Sequence, residues 1–428
     1  MVNLILFGSF IILLILNVPI AISLGLSAVF TLLYAQVPLS IIVQNIYSGM
    51  AKFLLLAIPF FVLAGNIMAK AGISDRLINF ANDCVGHRRG GIAIVSVIVA
   101  CFFGALSGSG PATVAALGAI LVPAMIEKDG FRPEFATTLL ASASSIAIVI
   151  PPSIAFIVYS SITGAAVGDL FMAGIFPGIL MGVALVVLIK IVCKKEHIVP
   201  KREKATGKQR LKSFVNAIWA FLMPVIILGG IYGGIFTPTE AAAVSAVYGL
   251  IVGLFVYREI KLKDLWSIFV DSVKTSGSVL IIIGCASLFS YVCTTQGIAA
   301  SAQALLGASA NKYVFLIIIN IIFLIAGCFV DANSAMYIFI PIMFPVAQAL
   351  GIDLVHFGVI ATVNLAIGQV TPPVGVNLFV ASGLRIPGRK NVSVTEMVKP
   401  ALQCCGVLIV ALLLVTYIPG ISIGILGK

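Results

Sequence analysis

Charged residues are scarce in this sequence. Of its 428 residues only 10% are Asp, Glu, Lys or Arg, whereas 61% are hydrophobic and the mean hydropathy is +1.19. Soluble domains contain about 25% charged residues, and a water-soluble protein could not bury this much apolar surface. Stretches such as 171–192 approach the ~20 apolar residues needed to cross a ~30 Å hydrocarbon core. The composition therefore excludes a soluble enzyme with a single anchor and indicates a polytopic inner-membrane protein.

Residues suited to metal, redox or acid–base chemistry are also few. The three histidines, His87, His197 and His356, fall at predicted loops, and none of the eight cysteines forms a CxxC pair. The cysteines are interpreted as small packing residues rather than metal ligands or disulfide partners. We therefore expect no histidine-rich metal centre and no organic cofactor, and the inventory argues against a membrane-embedded enzyme.

The N-terminus lacks a basic region and a small-residue cleavage pattern, so 1–16 is predicted to be a first membrane element rather than a removed signal peptide. The formal net charge of +11 is concentrated in short connections, at 87–89, 190–212, 258–263 and 385–390. Aromatic residues do not interleave with these cations, which disfavours nucleic-acid binding. Basic connections are typical of cytoplasmic loops in membrane proteins.

The sequence contains an internal repeat. Ser109 and Asp331, Pro123 and Pro345, and Phe135 and Phe357 are pairs 222 positions apart, and the Pro151–Pro152 pair recurs 221 positions later as Pro372–Pro373. Repeats whose membrane segments are interrupted by Gly or Pro at matching positions are the best sequence indication of a transporter's binding site.

Each repeat contains a segment that resembles a hairpin. In 91–126 two apolar arms flank the string LSGSGPAT, whose Gly, Ser and Pro cannot continue a helix. The tip lies outside if both arms are crossings, and at mid-membrane if the pair is re-entrant. Arg88, Arg89 and Lys128 flank the two ends, and each arm is shorter than the ~20 residues of a full crossing. Both observations favour a re-entrant hairpin, repeated at 313–349.

Five crossings in each repeat invert the second copy relative to the first. The predicted fold is an all-α polytopic membrane protein with two inverted-topology repeats, about ten transmembrane helices and two re-entrant hairpins, and with both termini periplasmic. The first two crossings, 4–16 and 18–34, could also be one kinked helix. The predicted divisions are a first repeat over 1–195 (arm helix 36–50, hairpin 91–126, broken helix 135–168), a basic cytoplasmic linker over 196–212, and a second repeat over 213–428 (arm helix 258–272, hairpin 313–349, broken helix 357–384).

The two predicted hairpin tips differ in chemistry. Around 107–111 small residues allow close approach of the backbone, and the helix that begins near Ala112 offers N–H groups to an anion, although Gly and Ser also serve helix packing. The second tip carries Asp331 in an apolar segment. An isolated charge at that depth costs at least ~2.5 kcal/mol, so we expect a bound cation such as Na⁺, with a protonated carboxyl as the alternative.

The double prolines interrupt the two broken crossings. Each pair removes two N–H donors and frees carbonyls one turn upstream, near Ala147, Ile148 and Gly368. Unwound carbonyls of this kind coordinate coupling cations in inverted-repeat transporters, and a simple kink is the alternative at either site. The string TPTE at 237–240 is interpreted as a helix N-terminal cap.

The ordered motifs GALSGSGPATVAALG, IPPS, TPTEAAA, CFVDANSAM and TPPVG resemble the large membrane subunit of tripartite ATP-independent periplasmic (TRAP) transporters, and the resemblance covers essentially the whole chain. It implies an elevator mechanism and Na⁺-driven import of an organic acid across the bacterial inner membrane, with two or more coupling ions. It also implies two partners, a periplasmic substrate-binding protein and a small four-helix membrane subunit.

The resemblance further implies site residues. The Na⁺ ligands would be Ser107, Gly110, Ala147 and Ile150 in the first repeat and Gly327, Asp331, Gly368 and Thr371 in the second. The substrate contacts would be Ser107, Ser109, Thr113, Ser153, Asn333 and Asn377. Sialic acid and C4-dicarboxylates both fit a site of amides and hydroxyls, with sialic acid slightly preferred on overall resemblance. A passive channel and a membrane-embedded enzyme are the alternative functions.

Overall fold

The computed structural model describes residues 1–199, 203–298 and 311–427, and every regular element in these ranges is helical. The main helices are α1 (Val2–Ile15), α2 (Ile20–Tyr34), α3 (Ser40–Met50), α4 (Ala57–Lys70), α5 (Ile73–Val85), α6 (Gly91–Ser107), α7 (Gly110–Ala124), α8 (Pro133–Ser145), α9 (Ile154–Thr163), α10 (Val167–Lys195), α11 (Gly207–Tyr232), α12 (Pro238–Ile251), α13 (Leu262–Thr295), α14 (Lys312–Phe329), α15 (Ala332–Ala349), α16 (Leu354–Gly368), α17 (Val376–Ser382) and α18 (Val394–Tyr417).

Nine helical stretches in the described ranges are long and apolar enough to cross a membrane. Three of them belong to hairpin arms, namely α14, α15 and α7 with the wider turn that extends it to Asp129. The arms are thus longer than the sequence analysis assumed. Burial, rather than arm length, is the observation that argues against an exposed loop at the first tip, since Ser107, Gly108 and Gly110 are all buried in protein. The predicted all-α polytopic fold is confirmed.

Both repeats contain the same succession of elements around the double prolines. In the first, the hairpin α6–α7 precedes the broken pair α8 and α9; in the second, α14–α15 precedes α16 and α17. Ser109 and Asp331 occupy the same position, immediately before the second hairpin arm. The peptide bonds Pro151–Pro152 and Pro372–Pro373 are both cis.

The repeats interlock at the hairpins. The second arm α7 packs on α17, the short half of the other repeat's broken helix, and α15 packs in the same way on α9. Each hairpin also packs on the first half of its own broken helix, α6 on α8 and α14 on α16. This exchange brings both tips and both breaks to one place in the molecule.

Local sequence explains several helix ends. Thr237 and Glu240 form the predicted cap: the Thr237 hydroxyl accepts from the Glu240 N–H at 3.3 Å, and the Glu240 carboxylate accepts from the Thr237 N–H at 2.8 Å. The possibility of one kinked helix over the first two crossings is wrong, because the chain breaks between α1 and α2 at Asn17, which has a left-handed φ of 61°.

The second arm helix differs from its prediction. The sequence predicts an arm helix over 258–272, whereas α13 continues without interruption from Leu262 to Thr295. In the first repeat the arm helix α3 ends at Met50, and extended backbone at Lys52 (ψ 125°) separates it from the helical stretch Phe53–Lys70. No proline occurs within α13, so nothing interrupts its backbone hydrogen bonds.

Two further features were missed. Residues 73–85 form the amphipathic helix α5, to which the sequence analysis assigned no element. His356, expected in a loop, is buried within α16, where its Nδ1 lies 2.7 Å from the Ser422 hydroxyl and its Nε2 lies 3.3 Å from the Thr416 carbonyl oxygen. The imidazole thereby ties the start of α16 to the C-terminal segment.

Candidate functional site

A cavity of about 530 Å³ lies where the hairpin tips and the breaks meet. Helices α4 and α13 close its other side. Its polar lining comes from both tips, one break and these two helices. The polar and tip residues are Asn66, Ser107, Gly108, Ser109, Gly110, Thr275, Asp331, Asn333 and Gln369.

The first tip is held by its own hydroxyl groups. α6 ends at Ser107, Gly108 turns the chain with a left-handed φ of 60°, and α7 begins at Gly110. The Ser107 and Thr113 hydroxyls lie 2.9 Å apart, and the Thr113 hydroxyl donates to the Ser109 carbonyl at 2.8 Å. A Cβ on Gly108 would lie 3.1 Å from the Pro152 carbonyl oxygen, so the tip closely approaches the first break.

The N-terminus of α7 forms part of the cavity wall. Ser109 occupies the N-cap position, but its side chain makes no capping hydrogen bond. Gly110 and Ala112, in the first turn, line the cavity, and Pro111 between them lacks an N–H group. The N-terminus of α7, with its backbone N–H groups and the positive end of the helix dipole, therefore borders this space, which suits an anion.

The second tip has the opposite electrostatic character. The Asp331 carboxylate caps α15: one oxygen accepts from the backbone N–H groups of Asn333 (3.1 Å) and Ser334 (3.2 Å), and the other accepts from the Ser334 hydroxyl. These donors stabilise the charge within the chain, so the sequence argument that this carboxylate requires a cation partner is too strong. Asp331 nevertheless lines the cavity, and the adjacent Asn333 Oδ1 is buried without a hydrogen-bond partner.

The second break packs directly on its own hairpin. A Cβ added to Gly368 would lie 2.5 Å from the Cα of Gly327, so the two backbones are in contact. The Gly375 N–H donates to the Cys328 carbonyl at 3.1 Å. The Thr371 hydroxyl donates to the Ile367 carbonyl at 2.8 Å and lies 3.4 Å from the Cys405 sulfur, behind the cavity.

The first break is tied in a similar way. A Cβ on Gly104 would lie 2.6 Å from the Ala147 Cα, so α6 touches the turn that follows α8. The Ser153 hydroxyl donates to the Ile148 carbonyl and accepts from the Phe156 N–H, which caps α9. The Ile150 side chain lines a different space, a lateral groove between α6, α10 and α11.

Two amide side chains lie between the repeats. Gln369 and Asn377 press against Gly110, where a Cβ would be 2.5 Å from Gln369 Oε1 and 2.8 Å from Asn377 Oδ1. The Asn377 amide donates to the Ala141 carbonyl at 3.2 Å. Both side-chain oxygens are buried without hydrogen-bond partners. Buried acceptors are almost always satisfied in folded proteins, so these two are suited to a bound ligand or ion.

The proposed site residues therefore occupy two layers. Ser107, Ser109, Gly110, Asp331 and Asn333 line the cavity. Behind them, outside the lining, lie Thr113, Ala147, Ile150, Ser153, Gly327, Gly368, Thr371 and Asn377.

Sequence reasoning missed Gln369, Asn66 and Thr275 as lining residues. Asn66 and Gln369 were detectable as amides within apolar segments, since polar side chains at membrane depth are rare. Thr275 gave no such signal. Within the part of the chain that the structure describes, the lining includes no Lys, Arg or His.

Two hairpins and two broken helices packed around a cavity that contains polar groups define a multi-pass helical membrane fold. Two solved structures share this fold. The YdaH transporter of Alcanivorax borkumensis aligns with a TM-score of 0.60 at 15% identity over 89% of this chain and 87% of its own. MtrF of Neisseria gonorrhoeae aligns with a TM-score of 0.58 at 14% identity over 88% and 83%. At such identities the likeness concerns the fold.

The chain belongs to the family described as the DctM component of tripartite ATP-independent periplasmic transporters, which matches residues 7–421. It is 42% identical to the isethionate TRAP transporter permease protein DctMQ of Oleidesulfovibrio alaskensis, over 99% of this chain and 66% of that protein. It is 40% identical to the C4-dicarboxylate large permease protein DctM of Rhodobacter capsulatus, over 99% and 98%. It is 36% identical to the sialic acid large permease protein SiaM of Vibrio cholerae, over 86% of each.

Proposed function

We propose that this chain imports a small organic-acid anion together with Na⁺, and that a soluble binding protein delivers the acid outside the membrane. One observation carries the proposal: a single cavity joins the N-terminus of α7, which has no side-chain cap, to the carboxylate of Asp331, and none of the described residues that line it is basic. An anion that enters this cavity meets a negative charge. Co-bound cations then provide the charge balance.

In the proposed site, the anion binds at the first tip. The N–H groups of Gly110 and Ala112 point to its acidic group, and the hydroxyls of Ser107 and Ser109 flank it. The Gln369 amide lies against Gly110 beside this position, with Asn377 next to it, and Asn333 lines the same cavity. Thr113 and Ser153 position the tip and α9 through their hydrogen bonds rather than through direct contact.

In the proposed site, the cations bind beside the two breaks. Carbonyl oxygens near Ala147 and Ile150 with Ser107 and Gly110 form one ligand set, and Asp331, Thr371 and the backbone at Gly327 and Gly368 form the other. All of these ligands are oxygen atoms, which suit a hard monovalent ion. The stoichiometry proposed is two or more Na⁺ for each acid.

Transport is proposed to follow an elevator mechanism. Each hairpin is packed on its own broken helix and on that of the other repeat, so these elements can move as one body. α4 and α13 close the cavity from the other side and belong to the proposed scaffold. A small four-helix membrane subunit is the proposed partner of that scaffold, in the bacterial inner membrane with both termini periplasmic.

The proposed substrate is a class of compound, the small organic-acid anions, rather than one particular acid. Two relatives at 42% and 40% identity carry isethionate and C4-dicarboxylate names, and the sialic acid relative is 36% identical. The sequence identities of these relatives therefore do not support the preference for sialic acid. All three compounds are small anions that an N–H-rich helix end and a ring of amides can hold.

Reconstitution tests the function. The chain, its small membrane subunit and its binding protein in proteoliposomes are expected to accumulate one of these acids against its gradient when Na⁺ is higher outside. Accumulation should stop when an ionophore collapses the Na⁺ gradient. Uptake that only equilibrates the acid, or single-channel currents, would identify a passive channel and overturn the proposal.

Gln369 provides a test of the substrate position. Gln369→Met keeps the length of the side chain and removes a buried oxygen that has no partner, so stability should be unchanged or slightly higher. In the proposed site the amide N–H of Gln369 donates to the anion, and a hydrogen bond to a charged group contributes about 1.5–3 kcal/mol, so we expect KM for uptake to rise at least about ten-fold. Gln348→Met, at an exposed position on α15, is the matched control and should leave KM unchanged.

A further inference from the structure

The lateral groove has no role in the proposed transport path. Its volume is about 490 Å³, and it is lined almost entirely by apolar side chains. α6 forms its floor, where Val97 and Ala105 are buried, while Ile179 and Val183 on α10 are about half exposed at its rim. It is therefore a cleft that opens sideways, toward the space that lipid occupies around a polytopic protein.

The walls give the groove a definite length and direction. α10 lines it from Ile175 to Lys190, which at 1.5 Å per residue is ~22 Å. On the other side Phe102 of α6 packs edge-on against Phe221 of α11, with ring centroids 5.0 Å apart, and Pro224 continues that wall. One leaflet of a ~30 Å hydrocarbon core is ~15 Å deep, so the groove can hold an acyl chain and part of the glycerol region.

One end of the groove is basic. Among the described residues that line it, Lys190 alone is charged, and Lys194 follows one turn later on α10. Gly90 is in contact with this end of α10, since a Cβ on it would lie 2.6 Å from the Cys193 sulfur and 3.0 Å from an Ile189 methyl carbon. The preceding residue, Arg89, is exposed beside it. The basic linker leaves from the same end, which the positive-inside rule assigns to the cytoplasm.

We propose that the lateral groove binds a phospholipid with an anionic headgroup from the cytoplasmic leaflet. One acyl chain occupies the apolar cleft, and the phosphate lies at Lys190 and Arg89. Basic pockets between transmembrane helices on the cytoplasmic side are suited to anionic headgroups. The chain end reaches Ile150 and Pro151, so the lipid lies against the outer face of the first break.

Native mass spectrometry tests this proposal. The full chain, purified in detergent, is equilibrated with equal amounts of phosphatidylglycerol and phosphatidylethanolamine, and the retained lipids are counted and weighed. We expect one phosphatidylglycerol to be retained in preference to phosphatidylethanolamine. Lys190→Gln should lower its retention about five-fold, which corresponds to about 1 kcal/mol for one basic side chain near the membrane surface. Val183→Trp, which fills the cleft from its rim, should lower the retention of both lipids.

Two variants serve as matched controls. Lys195→Gln removes a cation from the same helix end outside the groove, and Val410→Trp adds the same bulk at an exposed position on α18. Both should retain the lipid as the unmodified chain does. The proposal is overturned if no lipid is retained, if the two headgroups are retained equally, or if the controls lose as much lipid as the groove variants. Displacement of the lipid by the small membrane subunit would show that the groove is a subunit interface, and would also overturn it.

Discussion

Asp331→Asn is expected to lower Na⁺-driven uptake by about 100-fold while leaving the protein folded and inserted. Asparagine and aspartate are nearly equivalent at a helix N-cap, so the amide oxygen can accept from the Asn333 and Ser334 N–H groups as the carboxylate does. What the substitution removes is the negative charge beside the cation. Loss of one partner of a buried ion pair costs about 3 kcal/mol, which is the basis of the expected factor. Initial uptake rates in proteoliposomes at several Na⁺ concentrations measure it.

Asp353→Asn is the matched control for this substitution. Asp353 caps α16 with the same geometry, since its carboxylate accepts from the N–H groups of Val355 (2.8 Å) and His356 (3.0 Å), but it does not line the cavity. Asp353→Asn should therefore retain Na⁺-driven uptake. Equal losses in the two variants would assign the effect to helix capping, and unchanged uptake in Asp331→Asn would refute a cation site at the second tip.

The two capping aspartates, Asp331 and Asp353, also show that a local sequence pattern does not distinguish a site residue from a helix cap. Their pattern of Asp before an apolar helix is the same, and only the repeat distinguishes them, because Asp331 is equivalent to Ser109 at a hairpin tip. The hairpins and the breaks were predictable, since Gly, Pro and Ser interrupt apolar segments whose composition is otherwise unambiguous. These are local signals, and they required no knowledge of packing.

The arrangement of the site depends on contacts between distant segments. Nothing in the sequence around Gln369 indicates that its amide presses on Gly110, which is 259 positions earlier in the chain. The carbonyl of Ile148 was expected to be free, but it accepts from the Ser153 hydroxyl five residues later, a local hydrogen bond. The interlocked packing of the two repeats determines which polar atoms stay unpaired at the site. This packing cannot be predicted from the pattern of residue types.

Gly368→Ala is expected to stop transport by separating the second break from its hairpin. The added Cβ would lie 2.5 Å from the Cα and 2.6 Å from the carbonyl carbon of Gly327, and backbone atoms cannot move aside as a flexible side chain can. Overpacking of this kind costs about 1–3 kcal/mol, and it displaces carbonyls of the proposed cation site. Gly406→Ala on α18 is the control, because no atom of the described residues beyond its own helix turn lies within 4 Å of the added Cβ. That change should raise stability by about 0.5–1 kcal/mol through helix propensity. The thermal unfolding midpoint should fall in Gly368→Ala and rise in Gly406→Ala, and Na⁺-driven uptake should be lost only in Gly368→Ala. Normal uptake in Gly368→Ala would show that close contact at the break is not needed for transport.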